Sequence, residues 1–243
     1  MTAPPPAHPP RDLDEALSTG RRATDDAIAF IRGGILSATL PAGSRLNAAQ
    51  IAADLGVTIV PVREAIHFLA GAGLVDLLPL KGARVRDFDQ DEIIGWWRIF
   101  QALTEIELVS AAHRIAETTE NVDIIRQAQA QIDAIDAAAE PSAFLNSLAN
   151  FHLALNRVSG ERLVREASRR LQARFWTLRL IDHVPLADYG RQFATHYSRI
   201  AEAVLRGDGP SAVASFAYQV AWSSALIRGE RPPPGEAWIP PRS

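Results

Sequence analysis

Six long segments with helically spaced apolar residues follow one another between residues 89 and 229, and no strand-like alternation interrupts them. Short breaks rich in glycine, proline or threonine separate these segments. Helices joined by short connections pack against one another, so this part of the chain is predicted to form an all-helical bundle. The predicted helices span residues 89–117, 121–139, 141–158, 160–182, 187–206 and 209–228.

Residues 24–88 precede the bundle. Their closely spaced helix caps and turn residues are typical of a small separate domain. Helical spacing from Thr24 to about Leu40 predicts a first helix. Asn47 then offers an N-cap for a second helix, with Gln50 three residues later as its capping-box partner. Gly56 offers a left-handed end, so the second helix is predicted to run between Asn47 and Gly56.

A third helix is predicted to begin after Thr58, the next N-cap candidate. Pro61 falls in its first turn, where a missing N–H costs nothing because that donor has no helical partner. Two short segments, LVDLL and ARVRDF, follow as strand candidates joined across PLKG, with Gly82 at the turn. Three helices followed by a hairpin predict a winged helix-turn-helix.

Proline-rich segments mark both ends of the chain, MTAPPPAHPPRDLDE at the start and RPPPGEAWIPPRS at the end. Neither is predicted to join a core. The predicted organisation is a disordered tail at 1–20, a winged helix-turn-helix domain at 21–88, a helical domain at 89–229 and a proline-rich tail at 230–243.

The composition excludes several classes of protein. The net charge of -3 requires any nucleic-acid binding to come from a local basic patch. The chain has no cysteine, which excludes disulfides, thiolate zinc sites and cysteine nucleophiles. It has no nucleophile elbow, phosphate-binding loop or H-E-x-x-H helix, so we expect no enzymatic activity. No apolar run reaches the roughly 18 residues that span a bilayer, so we expect a cytoplasmic protein with no membrane partner.

Several phrases in the sequence resemble one family of regulators. In the first segment they are LPAGSRLNAAQIAADLGV, PVREAI, LAGAGLV and KGARV, and in the second they are FHLALNRVSG and IAEAVLRGD. These phrases are similar to those of GntR-type transcriptional regulators whose effector domain is of the helical FCD (FadR C-terminal) type. The resemblance implies a mostly α fold, a homodimer bound to a short palindrome in double-stranded DNA, and a small-molecule effector, such as an organic acid, in the helical domain.

The candidate DNA-binding residues follow from the helix-turn-helix geometry, in which the recognition helix lays its N-terminal residues in the major groove. Arg63 lies in the matching PVREAI phrase, and an arginine can donate two hydrogen bonds to guanine O6 and N7. On its own, the Arg63-Glu64 pair is equally typical of a solvated helix surface. The complete predicted set is Arg45, Thr58, Ile59, Val60, Arg63, Lys81, Gly82 and Arg84.

One part of the recognition helix departs from the family pattern. Family members commonly carry Ser-Arg-Thr-Pro where this chain has Thr58, Ile59, Val60 and Pro61. Isoleucine and valine cannot bond phosphate and offer only apolar contacts, for instance to thymine methyl groups. This departure has three possible interpretations. The protein recognises an unusual operator, it binds DNA weakly, or it uses the same fold for ligand sensing or protein interaction.

The resemblance also implies a divalent metal in the helical domain, held by an aspartate four residues before a histidine and by two later histidines. His152 matches the first histidine, but Leu148 stands at the aspartate position. Tyr197 and Gln219 stand at the later histidine positions, with His196 one residue early. The ligand set is incomplete, so no cofactor is predicted, and His152 and His196 are the remaining candidate ligands. The alternative for His152 is a core histidine.

Without a metal, these polar positions still predict an uncharged pocket that binds a small organic ligand directly. Gln101 stands where the family often has an arginine, and Arg174 is a candidate replacement for that positive charge. The predicted effector-binding residues are Gln101, His152, Arg174, His196, Tyr197 and Gln219.

Overall fold

The computed structural model describes residues 11–37, 39–87, 89–171 and 184–230. The chain divides into two compact units, Met1–Asp87 and Phe88–Ser243. Each unit has its own buried apolar core. Within the described ranges, no helix combines the length and apolar character that crossing a membrane requires.

The first unit is built from three helices and a small sheet. Its elements are α1 (Arg11–Leu36), β1 (Arg45–Leu46), α2 (Ala48–Leu55), α3 (Ile59–Gly71), β2 (Val75–Leu78) and β3 (Gly82–Val85). Strand β3 lies between β1 and β2 and pairs antiparallel with both. Helix α3 packs against α1, and Ile31, Val62 and Leu69 are completely buried between these elements. The predicted winged helix-turn-helix is confirmed.

Local hydrogen bonds explain where α2 begins and ends. The Asn47 side-chain oxygen accepts from the backbone N–H groups of Ala49 and Gln50, both at 3.1 Å. Gly56 ends the helix in the left-handed region, at φ 66°. The Gln50 side chain does not complete a capping box, because its Nε2 donates to Asp54 Oδ1 at 2.8 Å. Asn47 alone therefore caps the start of α2.

Two features of this unit differ from the sequence-based expectation. Helix α1 begins at Arg11, whereas a disordered tail was predicted to continue to residue 20. The segment RDLDEALSTG lies beyond the last proline of the tail and contains good helix formers, with acidic residues near the start of the helix. Strand β1 was not predicted, because two residues are too few to show an alternating pattern.

The second unit is built from helices in its described residues, as predicted, although its second helix ends at Asp133 rather than at residue 139. Its helices are α4 (Gln90–Arg114), α5 (Thr119–Asp133), α6 (Pro141–Ser159), α7 (Arg162–Arg170), α8 (Leu186–Leu205) and α9 (Gly209–Ile227), with a short 3-10 turn (Ile115–Glu117) after α4. Asp89, Thr118 and Asp208 cap α4, α5 and α9 by accepting backbone N–H bonds at 2.8, 3.1 and 3.0 Å. Polar N-caps therefore set the start of three of these helices.

Helix α4 is the centre of this bundle and packs against α6, α7, α8 and α9. Aromatic side chains fill the space around it, with Trp97 and Phe100 on α4 buried. Gly190 of α8 approaches the turn after α5 so closely that a Cβ there would lie 2.2 Å from the Ala137 Cβ. Only glycine allows this contact at the observed spacing.

Candidate functional site

The start of α3 buries one face in the core and exposes the other to solvent. Pro61 and Val62 are buried, whereas Thr58 and Arg63 are exposed and Val60 is 58% exposed. Thr58 occupies the N-cap position with extended backbone, but its side chain makes no capping bond. The predicted N-cap position of Thr58 is therefore confirmed, but its hydroxyl does not supply the capping bond. The start of the recognition helix is open to solvent, as DNA reading requires.

Arg63 and Glu64 do not form the surface pair that adjacent opposite charges suggest. Glu64 Oε2 accepts a hydrogen bond of 2.8 Å from the Thr24 hydroxyl of α1. Arg63 is exposed and is not among the residues that form salt bridges within the described chain. Glu64 thus ties α3 to α1, while the guanidinium of Arg63 remains accessible.

The hairpin between β2 and β3 forms the wing. Its turn is closed by the Lys81 N–H, which donates to the Leu78 carbonyl at 3.0 Å. Leu80 adopts a left-handed conformation at φ 59° and is fully exposed, so it is the tip of the wing. Lys81 is exposed beside it, and Gly82, at φ 86°, is the first residue of β3 rather than the tip. Leu80 was missed in the sequence, since a leucine within an apolar run gives no turn signal.

Arg45 and Arg84 come together on the solvent face of the sheet. They are direct neighbours in the pairing of β1 with β3, and Asp76 of β2 is the neighbour of Arg84 on its other side. Arg84 Nε donates to Asp76 Oδ2 at 3.1 Å. Asp76 therefore offsets part of the positive charge in this row. A phosphate contact by Arg84 would compete with the Asp76 bond.

In the helical unit, the structure joins His152 of α6 to Tyr197 of α8. His152 Nε2 and the Tyr197 hydroxyl are 2.9 Å apart, and both side chains are buried. Burial lowers the pKa of His152 to about 3 and raises the pKa of the Tyr197 hydroxyl, so both groups are neutral. The rings of Phe100 and Phe216 lie 4.6 and 5.5 Å from the imidazole. His152 Nδ1 has no hydrogen-bond partner among the described residues.

A second buried pair joins His196 to Gln219. His196 Nδ1 contacts the Gln219 side-chain oxygen, which can only accept, so this nitrogen carries the proton. Gln219 Nε2 in turn donates to the Ser223 hydroxyl at 2.8 Å. Burial lowers the pKa of His196, against the opposing effect of the Gln219 bond. Gln219 is thus bound to His196 and Tyr197 to His152, so these four predicted effector residues form two hydrogen-bonded pairs.

The other two predicted effector residues do not join these pairs. Gln101 is half-buried on α4, and its Nε2 donates to Glu105 on the same helix at 2.7 Å. It is therefore engaged along its own helix rather than with His152. Arg174 lies outside the described residues.

The side chains at the positions of the family's metal ligands do not fit a divalent metal. Leu148 is fully buried where a carboxylate would be needed, and Tyr197 is a neutral phenol bonded to His152. Gln219 supplies a neutral amide that is already paired. No three His, Asp or Glu side chains within the described ranges are grouped as a metal site requires. One imidazole without a carboxylate partner is a poor ligand set.

Sequence reasoning missed a chain of polar side chains between α4, α6 and α7, which is buried at Glu107 and Asn156 and ends at the exposed Arg165. Asn156 Nδ2 donates to Glu107 Oε1, and Arg165 Nε donates to Asn156 Oδ1 at 2.5 Å. Burial raises the pKa of Glu107 to about 7. The Thr104 hydroxyl, one turn earlier on α4, is buried with no partner among the described residues. The available signal was Asn156, which lies four residues after His152 and therefore on the same face of α6.

A surface cleft lies elsewhere in this unit. It has a volume of about 860 Å³ and is formed by the end of α5, the turn after it and the first half of α8. Asp133, Asp136 and Asp188 line it together with a single arginine, Arg191. This excess of carboxylates disfavours an acidic ligand, so the buried centre around His152 remains the better effector candidate.

Two family descriptions match the sequence. Residues 23–85 match "Bacterial regulatory proteins, gntR family", and residues 98–218 match "FCD domain". The chain belongs to the GntR family. It carries a GntR-type DNA-binding domain followed by an FCD effector-binding domain, which makes it a transcriptional regulator of the FadR/FCD group.

Solved structures of this GntR-family regulator's relatives have the same fold. A protein of Rhodococcus sp. RHA1, described as a GntR transcriptional regulator, has a TM-score of 0.70 and 21% identity over 86% of this chain and 98% of its own. E. coli McbR/YncC has a TM-score of 0.68 and 18% identity over 85% of this chain and 97% of its own. At these identities the likeness concerns the fold alone.

One curated relative is more similar in sequence but over a shorter segment. It is the "Probable D-xylose utilization operon transcriptional repressor" of Paenarthrobacter nicotinovorans, 33% identical over 110 residues. The match covers 43% of this chain and 49% of the relative, so this chain spans about half the length of that protein.

Proposed function

We propose that this GntR-family protein acts in the cytoplasm as a dimeric repressor that binds a short palindromic operator and releases it in response to a small molecule. The observation that carries the proposal is the first turn of α3, where Arg63 is exposed and Glu64 is held by Thr24. The P. nicotinovorans relative, described as a repressor, supports the direction of regulation. A two-fold dimer would place two recognition helices one DNA turn apart, about 34 Å.

The contribution of Arg63 is tested by fluorescence anisotropy on DNA from the region upstream of the protein's own gene. Loss of a bidentate guanine contact costs about 1–3 kcal/mol, so Arg63→Ala should weaken binding roughly 10- to 100-fold per half-site. His67→Ala is the matched control, since His67 is exposed one turn further along α3. Equal effects of the two substitutions would contradict a base-reading role for Arg63. If the unchanged protein has no salt-sensitive specific binding, the proposal is wrong.

The proposed effector is a small organic acid bound without metal near His152 and Tyr197. His152 Nδ1 is buried there with no partner within the described residues and is available to a ligand. Tryptophan fluorescence and thermal unfolding would be followed against a panel of organic acids, with D-xylose included because of the relative's description. Stabilisation should survive EDTA and weaken in Tyr197→Phe but not in Tyr189→Phe. Loss of the response on chelation would contradict metal-free binding.

A second candidate function is ligand sensing or protein interaction by a protein that has lost operator recognition. It is favoured by Val60, which exposes 58% of its surface at the start of α3 where polar phosphate donors would serve better. The double variant Ile59→Arg, Val60→Thr should then gain DNA affinity and a steeper salt dependence. Nanomolar binding of a specific site by the unchanged protein would exclude this second function.

A further inference from the structure

The turn at the tip of the wing holds a leucine in a conformation that leucine disfavours. Among the described residues other than glycine, Leu80 alone has a positive φ, at 59°. The Lys81 N–H donates to the Leu78 carbonyl across this turn, and Pro79 precedes Leu80. A four-residue turn with proline second and a positive φ third is of type II, and its third position favours glycine or asparagine. The local fold therefore does not explain a leucine at position 80.

Burial does not explain this leucine either. The Leu80 side chain is fully exposed, so it adds no buried surface to the first unit. A single exposed leucine is ordinary on a protein surface, but here the exposure coincides with a left-handed backbone. Strained residues of this kind cluster at binding sites. The use of Leu80 is therefore to be sought in what the wing binds.

The surroundings of Leu80 favour DNA as the molecule that the wing binds. The wing belongs to the DNA-binding domain, and the neighbouring Lys81 is exposed and positively charged. Lysine is depleted in protein–protein interfaces, whereas it suits the phosphate backbone of DNA. With α3 in the major groove, the hairpin that follows it is expected over the neighbouring minor groove. An apolar side chain at the tip would then point at the edges of the base pairs.

We propose that Leu80 is an apolar wedge that enters the minor groove and partly unstacks one base step, bending the operator towards the major groove. Leucine is among the side chains that minor-groove proteins insert between base pairs. The free energy that unstacking costs is offset when the bent duplex contacts more of the protein. Steps that unstack easily, TA and CA/TG, are therefore expected beneath the wing. The proposal rests on the proposed function and adds a sequence preference that needs no hydrogen bond to a base.

The first test replaces Leu80 with asparagine in the full-length chain. Asparagine tolerates the left-handed conformation, so the hairpin should keep its shape and the amide hydrogens of β2 and β3 should exchange no faster. Bending is measured by energy transfer between dyes at the two ends of a duplex of about 30 base pairs from the upstream region. The unchanged protein should bend this duplex by at least about 20°. The bend should largely disappear with Leu80→Asn.

Leu77→Thr is the matched control for this substitution. Leu77 lies on the same hairpin and is 48% exposed, but it belongs to strand β2 rather than to the tip. Threonine suits a strand, so Leu77→Thr should bend DNA as the unchanged protein does. Lys81→Ala should lose affinity and about one unit of salt slope, while the complex that still forms keeps its bend. An unbent complex of the unchanged protein, or equal bending by Leu80→Asn, overturns the wedge.

The second test locates the unstacked step. The fluorescence of 2-aminopurine is quenched by stacking, so this base is placed at each adenine of the duplex in turn. Its emission should rise several-fold at one step of each half-site with the unchanged protein and with Leu77→Thr. It should stay quenched with Leu80→Asn. If no position brightens with the unchanged protein, the wedge is wrong.

Failure of the wedge and failure of the proposed function give different results. Specific binding of the upstream DNA without unstacking that depends on Leu80 refutes the wedge alone. Unstacking that depends on Leu80 but occurs on duplexes of any sequence, without specific binding, refutes the proposed function alone. If Leu80→Asn changes the sedimentation of the free protein and leaves the DNA signals unchanged, Leu80 serves a protein contact and the wedge is overturned.

Discussion

Replacing Glu107 with glutamine is expected to remove a pH dependence from the stability of the helical unit. Burial raises the pKa of the Glu107 carboxyl from its ordinary value of 4.5 to about 7, against the hydrogen bond from Asn156 and the charge of Arg165. Between these values the folded state keeps a proton that the unfolded chain has released. The free energy of unfolding should therefore fall as the pH rises from about 4.5 to about 7.

The size of this effect follows from the pKa difference. At roughly 1.4 kcal/mol for each pKa unit, Glu107 lowers the free energy of unfolding by about 3 kcal/mol across this pH range. Glutamine has no proton to lose but retains an oxygen that can accept from Asn156. The stability of Glu107→Gln relative to the unchanged protein should therefore increase by roughly 1.4 kcal/mol per pH unit between pH 5 and 7.

Urea unfolding followed by tryptophan fluorescence measures this difference directly. Trp96, Trp97 and Trp222 are buried in the helical unit, and residues 1–87 contain no tryptophan, so a change in emission reports on that unit. Thr104→Val is the control: it removes a neighbouring buried hydroxyl that has no partner within the described chain, and should raise stability by about 1 kcal/mol at every pH. If Glu107→Gln and the unchanged protein show parallel pH profiles, the raised pKa is not a property of Glu107.

Two further substitutions test local features of the fold. Asn47→Ala removes the acceptor for two N–H groups of α2 and should destabilise the first unit by about 1 kcal/mol, measured as faster hydrogen exchange at Ala49 and Gln50. Slowed or unchanged exchange would contradict the cap. Gly190→Ala places a Cβ 2.2 Å from the Ala137 Cβ and should cost about 1–3 kcal/mol in urea unfolding, so an equally stable variant would argue against this close approach.

The elements that the sequence predicted well are those with strong local signals. Helical spacing predicted the bundle, and Asn47 and Gly56 predicted both ends of α2 because each acts through bonds or dihedral angles of its own neighbours. Strand β1 could not be predicted, because it has only two residues and is defined by its pairing with β3. A single sequence therefore shows helix caps and turns, which depend on neighbouring residues. It does not show the pairing of segments that are distant along the chain.

The same distinction explains the outcome for the helical centre. His152 was singled out from its phrase, but its bond to Tyr197 joins residues 45 positions apart. Position counting predicted Tyr197 and Gln219 as lining residues but not their partners. The rotation of about 100° between adjacent helical residues directs His196 towards Gln219 and Tyr197 towards His152. Glu107 was overlooked because its partners, Asn156 and Arg165, lie on other helices.

Lys81, exposed in the turn of the wing, is the only lysine in the sequence. A lysine-specific protease therefore has a single cleavage site, and an acylating reagent has one side-chain amine to modify. Both reactions take place at Lys81. A DNA duplex bound over the wing would therefore slow both the cleavage and the acylation. Lys81 can therefore serve as a footprinting probe. Cleavage there is read as one band on a gel, and acylation as one mass increment.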